Sequence, residues 1–190
     1  MRTHGAGWGA ALLTMCLPIM AGAQVSWSLG GGGSLASKVP DGLSSGGLGY
    51  NVLAAAAVPL PVLPLAIRID AQFDQQTAPQ SPNRLQVYSA TANVVYGVHL
   101  LMVEPYVIGG MGYYHMLSRY ASTYQTSSYG PPEVQVTTNG FGVDAGFGVK
   151  AGLGRFAVFG EWRYNQVFAS AANSNYGVTS YAPFTIGVTF

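Results

Sequence analysis

Tyr181-Ala-Pro-Phe-Thr-Ile-Gly-Val-Thr-Phe190 ends the chain. In an extended strand successive side chains point to opposite faces. Phe184, Ile186, Val188 and Phe190 therefore share one face, and Thr185, Gly187 and Thr189 share the other. One large apolar face, one small or polar face and a closing aromatic describe a strand with lipid on one side and a packed lumen on the other. Pro183 departs from this pattern because it cannot donate to a ladder. It is read as lying at the start of the strand, at the outer rim.

Working back along the chain, the same alternation recurs. In Arg155–Phe168, Phe156, Val158, Gly160, Trp162 and Tyr164 oppose Ala157, Phe159, Glu161, Arg163 and Asn165. In Phe141–Lys150, Phe141, Val143, Ala145, Phe147 and Val149 oppose Gly142, Asp144, Gly146, Gly148 and Lys150. In Leu65–Asp74, Ile67, Ile69, Ala71 and Phe73 oppose Arg68, Asp70, Gln72 and Asp74. Fainter strands are read at Val25–Ala36, Gly47–Ala57 and Leu85–Val98. Tyr106–Leu117 has bulky residues on both faces, and its inner face cannot be assigned by periodicity.

Short turns fall near Pro59–Pro64, His99–Glu104 and Gly152–Arg155, and longer polar connections at Ser37–Gly46, Gln75–Arg84, Ser118–Val136 and Ala169–Val178. Short and long connections alternate, so every long one lies at the same end. That is the asymmetry of outer-membrane barrels, with short turns in the periplasm and long loops outside. The nearly continuous apolar run Val52–Ile67 could suggest a spanning helix. Pro59, Pro61 and Pro64 exclude that, because each removes a donor and clashes with the preceding turn.

Composition agrees. Of 190 residues only 8% are charged and 12% are aromatic, with 26 glycines. Ordinary soluble domains are about 25% charged. This chain could not wet an outer surface, which argues against a soluble lipocalin-like binder with apolar inside and charge outside. The formal net charge is +1, and the scattered Lys and Arg give no basic footprint for nucleic acid.

The N-terminus reads as a cleaved signal peptide over residues 1–23. Arg2 and His4 precede an apolar stretch from Ala10 to Met20, and Ala21-Gly22-Ala23 is a small-residue cleavage site before Gln24. Met15 before Cys16 does not fit a lipoprotein signal. Cleavage between Ala23 and Gln24 would remove the single cysteine. The remaining residues, 24–190, suit eight strands of about 9–11 residues. Ten strands would leave almost nothing for loops. The expected fold is all-β: an eight-stranded antiparallel up-and-down transmembrane barrel.

The alternating strands, Glu161-Trp162-Arg163 in the penultimate strand and the ending Phe184-Thr-Ile-Gly-Val-Thr-Phe190 together resemble the OmpA/OmpX-type outer-membrane β-barrel domain family. The resemblance covers the whole chain after residue 23. It implies a bacterial outer-membrane location with the N-terminus in the periplasm. It also implies a C-terminal assembly signal in Phe184, Ile186, Val188 and Phe190, read by the barrel-assembly machinery. Partners would be outer-membrane lipid and lipopolysaccharide, and the barrel would be a monomer.

Candidate sites are few. Arg68, Asp70, Asp144, Glu161 and Arg163 all fall on inward faces. They could line an ion path, or they could form a packed ion-pair network. An eight-stranded barrel has an interior just wide enough for side chains, which favours packing. His115, Ser118 and Glu133 supply the residue types of a lipid A-modifying barrel enzyme, a deacylase or acyltransferase. Such a nucleophile needs its base within hydrogen-bond reach. The simpler reading makes His115 a rim residue beside Tyr113 and Tyr114. His99 belongs to a short turn. Trp27, Tyr88, Tyr96, Tyr113, Trp162 and Tyr181 suit the interfacial aromatic girdles. The Tyr120–Tyr129 stretch reads as a solvated loop. Without cysteines after residue 23 or a His pair at ligand spacing, no metal is expected. Gly146-Phe-Gly148-Val-Lys-Ala151 matches a dinucleotide fingerprint only loosely and sits in a strand, so no cofactor is expected. The expected function is that of a non-enzymatic barrel with a structural or surface-interaction role.

Overall fold

In a computed structural model, which describes residues 24–38, 47–61, 63–77, 83–121, 133–169 and 178–190, eight strands close into one antiparallel barrel. They are β1 (Ser26–Lys38), β2 (Leu48–Pro59), β3 (Leu65–Thr77), β4 (Arg84–Gly97), β5 (Val103–Ala121), β6 (Glu133–Leu153), β7 (Phe156–Ala169) and β8 (Thr179–Thr189). Each pairs with its chain neighbours, and β1 pairs with β8 to complete the ring. Closure satisfies the backbone without an exposed edge, the condition a spanning sheet must meet. At the seam Trp27 and Phe190 exchange both backbone hydrogen bonds, each 2.8 Å. Ser28 Oγ and Thr189 Oγ1 meet inside it at 2.8 Å.

The strand faces divide as the alternation requires. Trp27, Val52, Ile69, Val94, Met111, Phe147, Trp162 and Ile186, one from each strand, are exposed on the outside. The short connections, residues 60–64, 98–102 and 154–155, lie at the end that holds both termini of the barrel, and the long ones lie at the other. Gly154 takes φ 77° in a two-residue turn, where a residue without Cβ is at ease. Leu101 takes φ 54° in another, with no such excuse.

Several expectations need correction. The strands are longer than read, because β5 and β6 run on to Ala121 and back from Glu133. This absorbs much of the Ser118–Val136 loop. Tyr120 is a strand residue, and 122–132 lie outside the described residues. Pro183 is not at the rim. It is buried within β8 opposite Ser34 of β1. The β7–β8 ladder lapses beside it, between the Trp162–Phe184 and Asn165–Tyr181 pairs, as the missing donor requires. Tyr181 is not in a girdle either: it points inward and is fully buried.

Candidate functional site

The barrel's chemistry is concentrated in its lumen. On β3, Arg68 and Asp70 are two residues apart and so share the inner face. On β7, Glu161 and Arg163 do the same in reversed charge order. The two strands are four apart in a ring of eight, so the pairs face each other across the full width of the barrel.

There they form a closed cycle of alternating charge. Arg68 Nε donates to Asp70 Oδ1 at 2.7 Å. Arg68 Nη1 and Nη2 donate to Glu161 Oε2 and Oε1 at 2.8 and 2.9 Å, a two-pronged match of guanidinium to carboxylate. Arg163 Nε donates to Glu161 Oε1 at 2.6 Å, and its Nη2 to Asp70 Oδ2 at 2.5 Å. Tyr106 Oη from β5 donates to Glu161 Oε2 at 2.8 Å. Asn93 Nδ2 from β4 donates to Asp70 Oδ2 at 2.9 Å and to Thr91 Oγ1 at 2.8 Å. All four charged residues are buried, none more than 7% exposed. Asp144, the fifth inward charge, stands beside the cycle: its Oδ1 is 3.6 Å from Arg163 Nη1, and among the described residues neither of its oxygens receives a hydrogen bond.

Toward the long-connection end the lumen changes character. Leu85, Val87, Tyr114, Met116, Val167 and Tyr181 form a buried apolar cluster. Across from it, Gln72 Nε2 donates to Asp74 Oδ2 at 2.9 Å and Gln76 Nε2 to Ser34 Oγ at 3.2 Å. Asn51 joins β1, β2 and β8. Its Nδ2 donates to the carbonyls of Gly33 and Phe184, and its Oδ1 accepts from Thr185 Oγ1 at 2.8 Å. Toward the short-turn end a cavity of about 360 Å³ opens, its lining including Ser28, Arg68, Tyr106 and Phe159. It stops at the charged cycle. Glu104 and Lys150 pair at 3.0 Å at its mouth, with His99 3.2 Å from the same carboxylate.

Beyond that cavity the lumen is filled by two layers that periodicity alone did not assign. Tyr106, Asn93 and Thr91 complete the charged layer, and the inward phase of β5 is set by Tyr106, Ile108, Tyr114, Met116 and Ser118. Small residues make the room: a Cβ on Gly148 would overlap the ring and hydroxyl of Tyr106.

The enzyme constellation is not assembled. Ser118 points into the barrel, 5% exposed. His115, three residues earlier, is on the outer face, where its Nδ1 meets Asn139 Oδ1 at 2.6 Å and its ring lies 6.2 Å from that of Tyr88. A wall of sheet separates hydroxyl from imidazole. Glu133 pairs in register with Ala121, beyond both. Phe184, Ile186, Val188 and Phe190 all lie exposed on the outer face of the last strand.

No protein-family model matches the chain, and no curated protein matches it in sequence. Solved structures do match it in shape. Neisserial surface protein A superposes over 88% of this chain and 97% of its own, at 15% identity and a TM-score of 0.64. The fold is that of the small outer-membrane barrels. A major outer membrane protein of Thermus thermophilus matches over 87% of this chain and 98% of its own, at 15% identity and a TM-score of 0.62. The attachment invasion locus protein of Yersinia pestis, solved with the heparin analogue sucrose octasulfate, covers 88% of this chain and 99% of its own, at 15% identity and a TM-score of 0.54. This chain shares their barrel fold, here a closed ring of eight antiparallel strands.

Proposed function

We propose that the chain is an integral barrel of a bacterial outer membrane whose lumen is packed rather than open, with a structural or surface-interaction role. The observation behind this reading is the charged cycle of Arg68, Asp70, Arg163 and Glu161 spanning the lumen. The sheet around it presents large apolar side chains outward from every strand. Soluble monomers rarely expose contiguous apolar patches above a few hundred Å². The long connections, gathered at one end, are where contact with other surfaces would occur, a role in keeping with the attachment name of one structural neighbour. Purified protein in planar bilayers should show no stable large conductance. Steady openings from a homogeneous preparation would overturn the packed-lumen reading.

The finer parts follow from it. Residues 1–23 are removed after Ala23, leaving Gln24 first. The N-terminus faces the periplasm, and Phe184, Ile186, Val188 and Phe190 serve as the assembly signal for the barrel-assembly machinery. The barrel works as a monomer among lipid and lipopolysaccharide. A cysteine placed at Leu101, in the short connection between β4 and β5, should react with an impermeant maleimide only after the outer membrane is breached. One placed at Ser127 should react in intact cells. The reverse pattern would invert the topology.

Lipid A modification is not part of this reading, since His115 and Ser118 are on opposite faces of the sheet. Mass spectrometry of lipid A from cells with and without the protein should give the same spectrum. A change abolished by His115→Ala would replace the structural reading with an enzymatic one.

A further inference from the structure

The outer face of β3–β6 near the long-connection end is chemically layered. One row, in direct register, is Phe73, Tyr88, His115 and Asn139. Its rings touch in sequence: Phe73 and Tyr88 have centroids 4.9 Å apart, Tyr88 and His115 6.2 Å, and Tyr50 of β2 joins Phe73 at 6.0 Å. Two residues further along each strand comes Gln75, Gln86, Leu117 and Thr137, with Gln86 Nε2 donating to Gln75 Oε1 at 2.9 Å. Two further again comes Thr77, Arg84, Arg119 and Gln135.

Arg84 and Arg119 are therefore directly opposite each other on neighbouring strands. Like charges in that position repel. Among the described residues neither guanidinium has an ion pair, and Arg119 Nε is buried with no hydrogen-bond partner. A bare pair of arginines is poised for an anion with two or more oxygens. Its height says which one. Four residues of strand rise roughly 13 Å, or about 10 Å along the normal at a tilt of roughly 40°. An aromatic row at the hydrocarbon boundary then puts the arginines at or just above the headgroups, a layer about 5–8 Å deep on each side. Long side chains can reach back into that layer.

We infer that this face holds one phosphorylated glycolipid of the outer leaflet. Its acyl chains lie on the apolar surface below the aromatic row, its sugar is level with the amide row, and its phosphate lies between Arg84 and Arg119. The inference rests on the outer-membrane reading and gives it a specific lipid contact. It also gives His115 a place, as a member of the interfacial row bonded to Asn139.

The test uses the barrel in nanodiscs and native mass spectrometry with diphosphoryl lipid A. The wild-type barrel should retain the lipid. The double variant Arg84→Gln/Arg119→Gln should bind it about tenfold or more weakly, the loss expected for one or two charge-assisted hydrogen bonds. Dephosphorylated lipid A should bind the wild type equally weakly, and excess inorganic phosphate should not displace the intact lipid. Lys38→Gln, which removes a cation from β1 at the same end, should change nothing. Glu133→Gln, at a position two residues along β6 from Gln135, the register partner of Arg119, should preserve binding or tighten it. Equal retention by wild type and double variant, with heat-modifiable gel mobility showing both folded, would overturn the inference, as would displacement by free phosphate. Failure of the wild-type chain to insert into the discs would instead sink the membrane reading itself.

Discussion

Arg68 on β3 and Glu161 on β7 meet across the whole width of the barrel through two parallel hydrogen bonds of 2.8 and 2.9 Å. The pair ties together strands that share no ladder. Removing one partner leaves a charge buried and unanswered, at a cost of about 3–5 kcal/mol, whereas replacing both by apolar residues of similar size is often nearly neutral. Arg68→Met alone should therefore lower stability by about 3–5 kcal/mol. Arg68→Met/Glu161→Met should recover most of that, because Arg163 and Asp70 still pair with each other. Urea unfolding in lipid vesicles measures both. A double variant no better than the single would mean that packing around the cycle, and not charge balance, is at stake.

Tyr106 reaches Glu161 only because position 148 has no side chain. Gly148→Ala should push the ring aside and cost about 1–3 kcal/mol. In that background Tyr106→Phe should cost little more, since its hydrogen bond is already broken. Strict additivity of the two changes, read from the same unfolding curves, would show that the alanine is accommodated elsewhere.

Met111 and Leu117 share the outer face of β5 at different depths. Met111→Arg should destabilise the barrel by about 2–4 kcal/mol in a bilayer, and Leu117→Arg by about 0–1 kcal/mol. In detergent micelles, which have no fixed depth, the two should differ less. Equal costs in vesicles would place the hydrophobic band elsewhere along the strands.

Leu101 holds φ 54° at the tip of the β4–β5 turn with its side chain fully exposed. A left-handed residue with a Cβ costs about 1–2 kcal/mol, which glycine avoids. Leu101→Gly should raise stability by about 1 kcal/mol, part of the relief being returned through the freer unfolded chain. A loss of stability would show that the leucine makes a contact that outweighs the backbone.

The strands with polar inner faces were legible as strands, and for a physical reason. Where the lumen holds charge, alternation is stark, as in Arg68-Ile-Asp70 and Glu161-Trp-Arg163. The same spacing disclosed that each pair would share a face. It could not disclose that β3 and β7 lie opposite each other until the strand count closed the ring. β5 resisted because its inner positions Tyr106, Ile108, Tyr114 and Met116 are as apolar as its outer ones. The polar-inside rule fails wherever the lumen is filled with side chains instead of water. Tyr181 was misplaced for the same reason, and Leu53, buried inside β2, was hidden in the apolar run from Val52 to Ile67. His115 and Ser118 looked like neighbours in the chain, but an odd spacing in a strand puts two side chains on opposite sides.

The β1–β8 seam sets a timetable. Ser28 and Thr189, which touch inside it, are 161 residues apart in the chain, so closing this seam has the largest loop-closure entropy of any strand pairing among the described residues to overcome. Until it forms, β1 and β8 each present a row of unpaired amides and carbonyls that lipid cannot accept. A chain interrupted before Thr179 would not be a smaller barrel. It would be an open sheet with no stable place in a bilayer. Entry into the membrane must therefore wait for the final strand or proceed against a temporary edge lent by another protein. The residues that decide when the barrel exists are then the last ones to arrive.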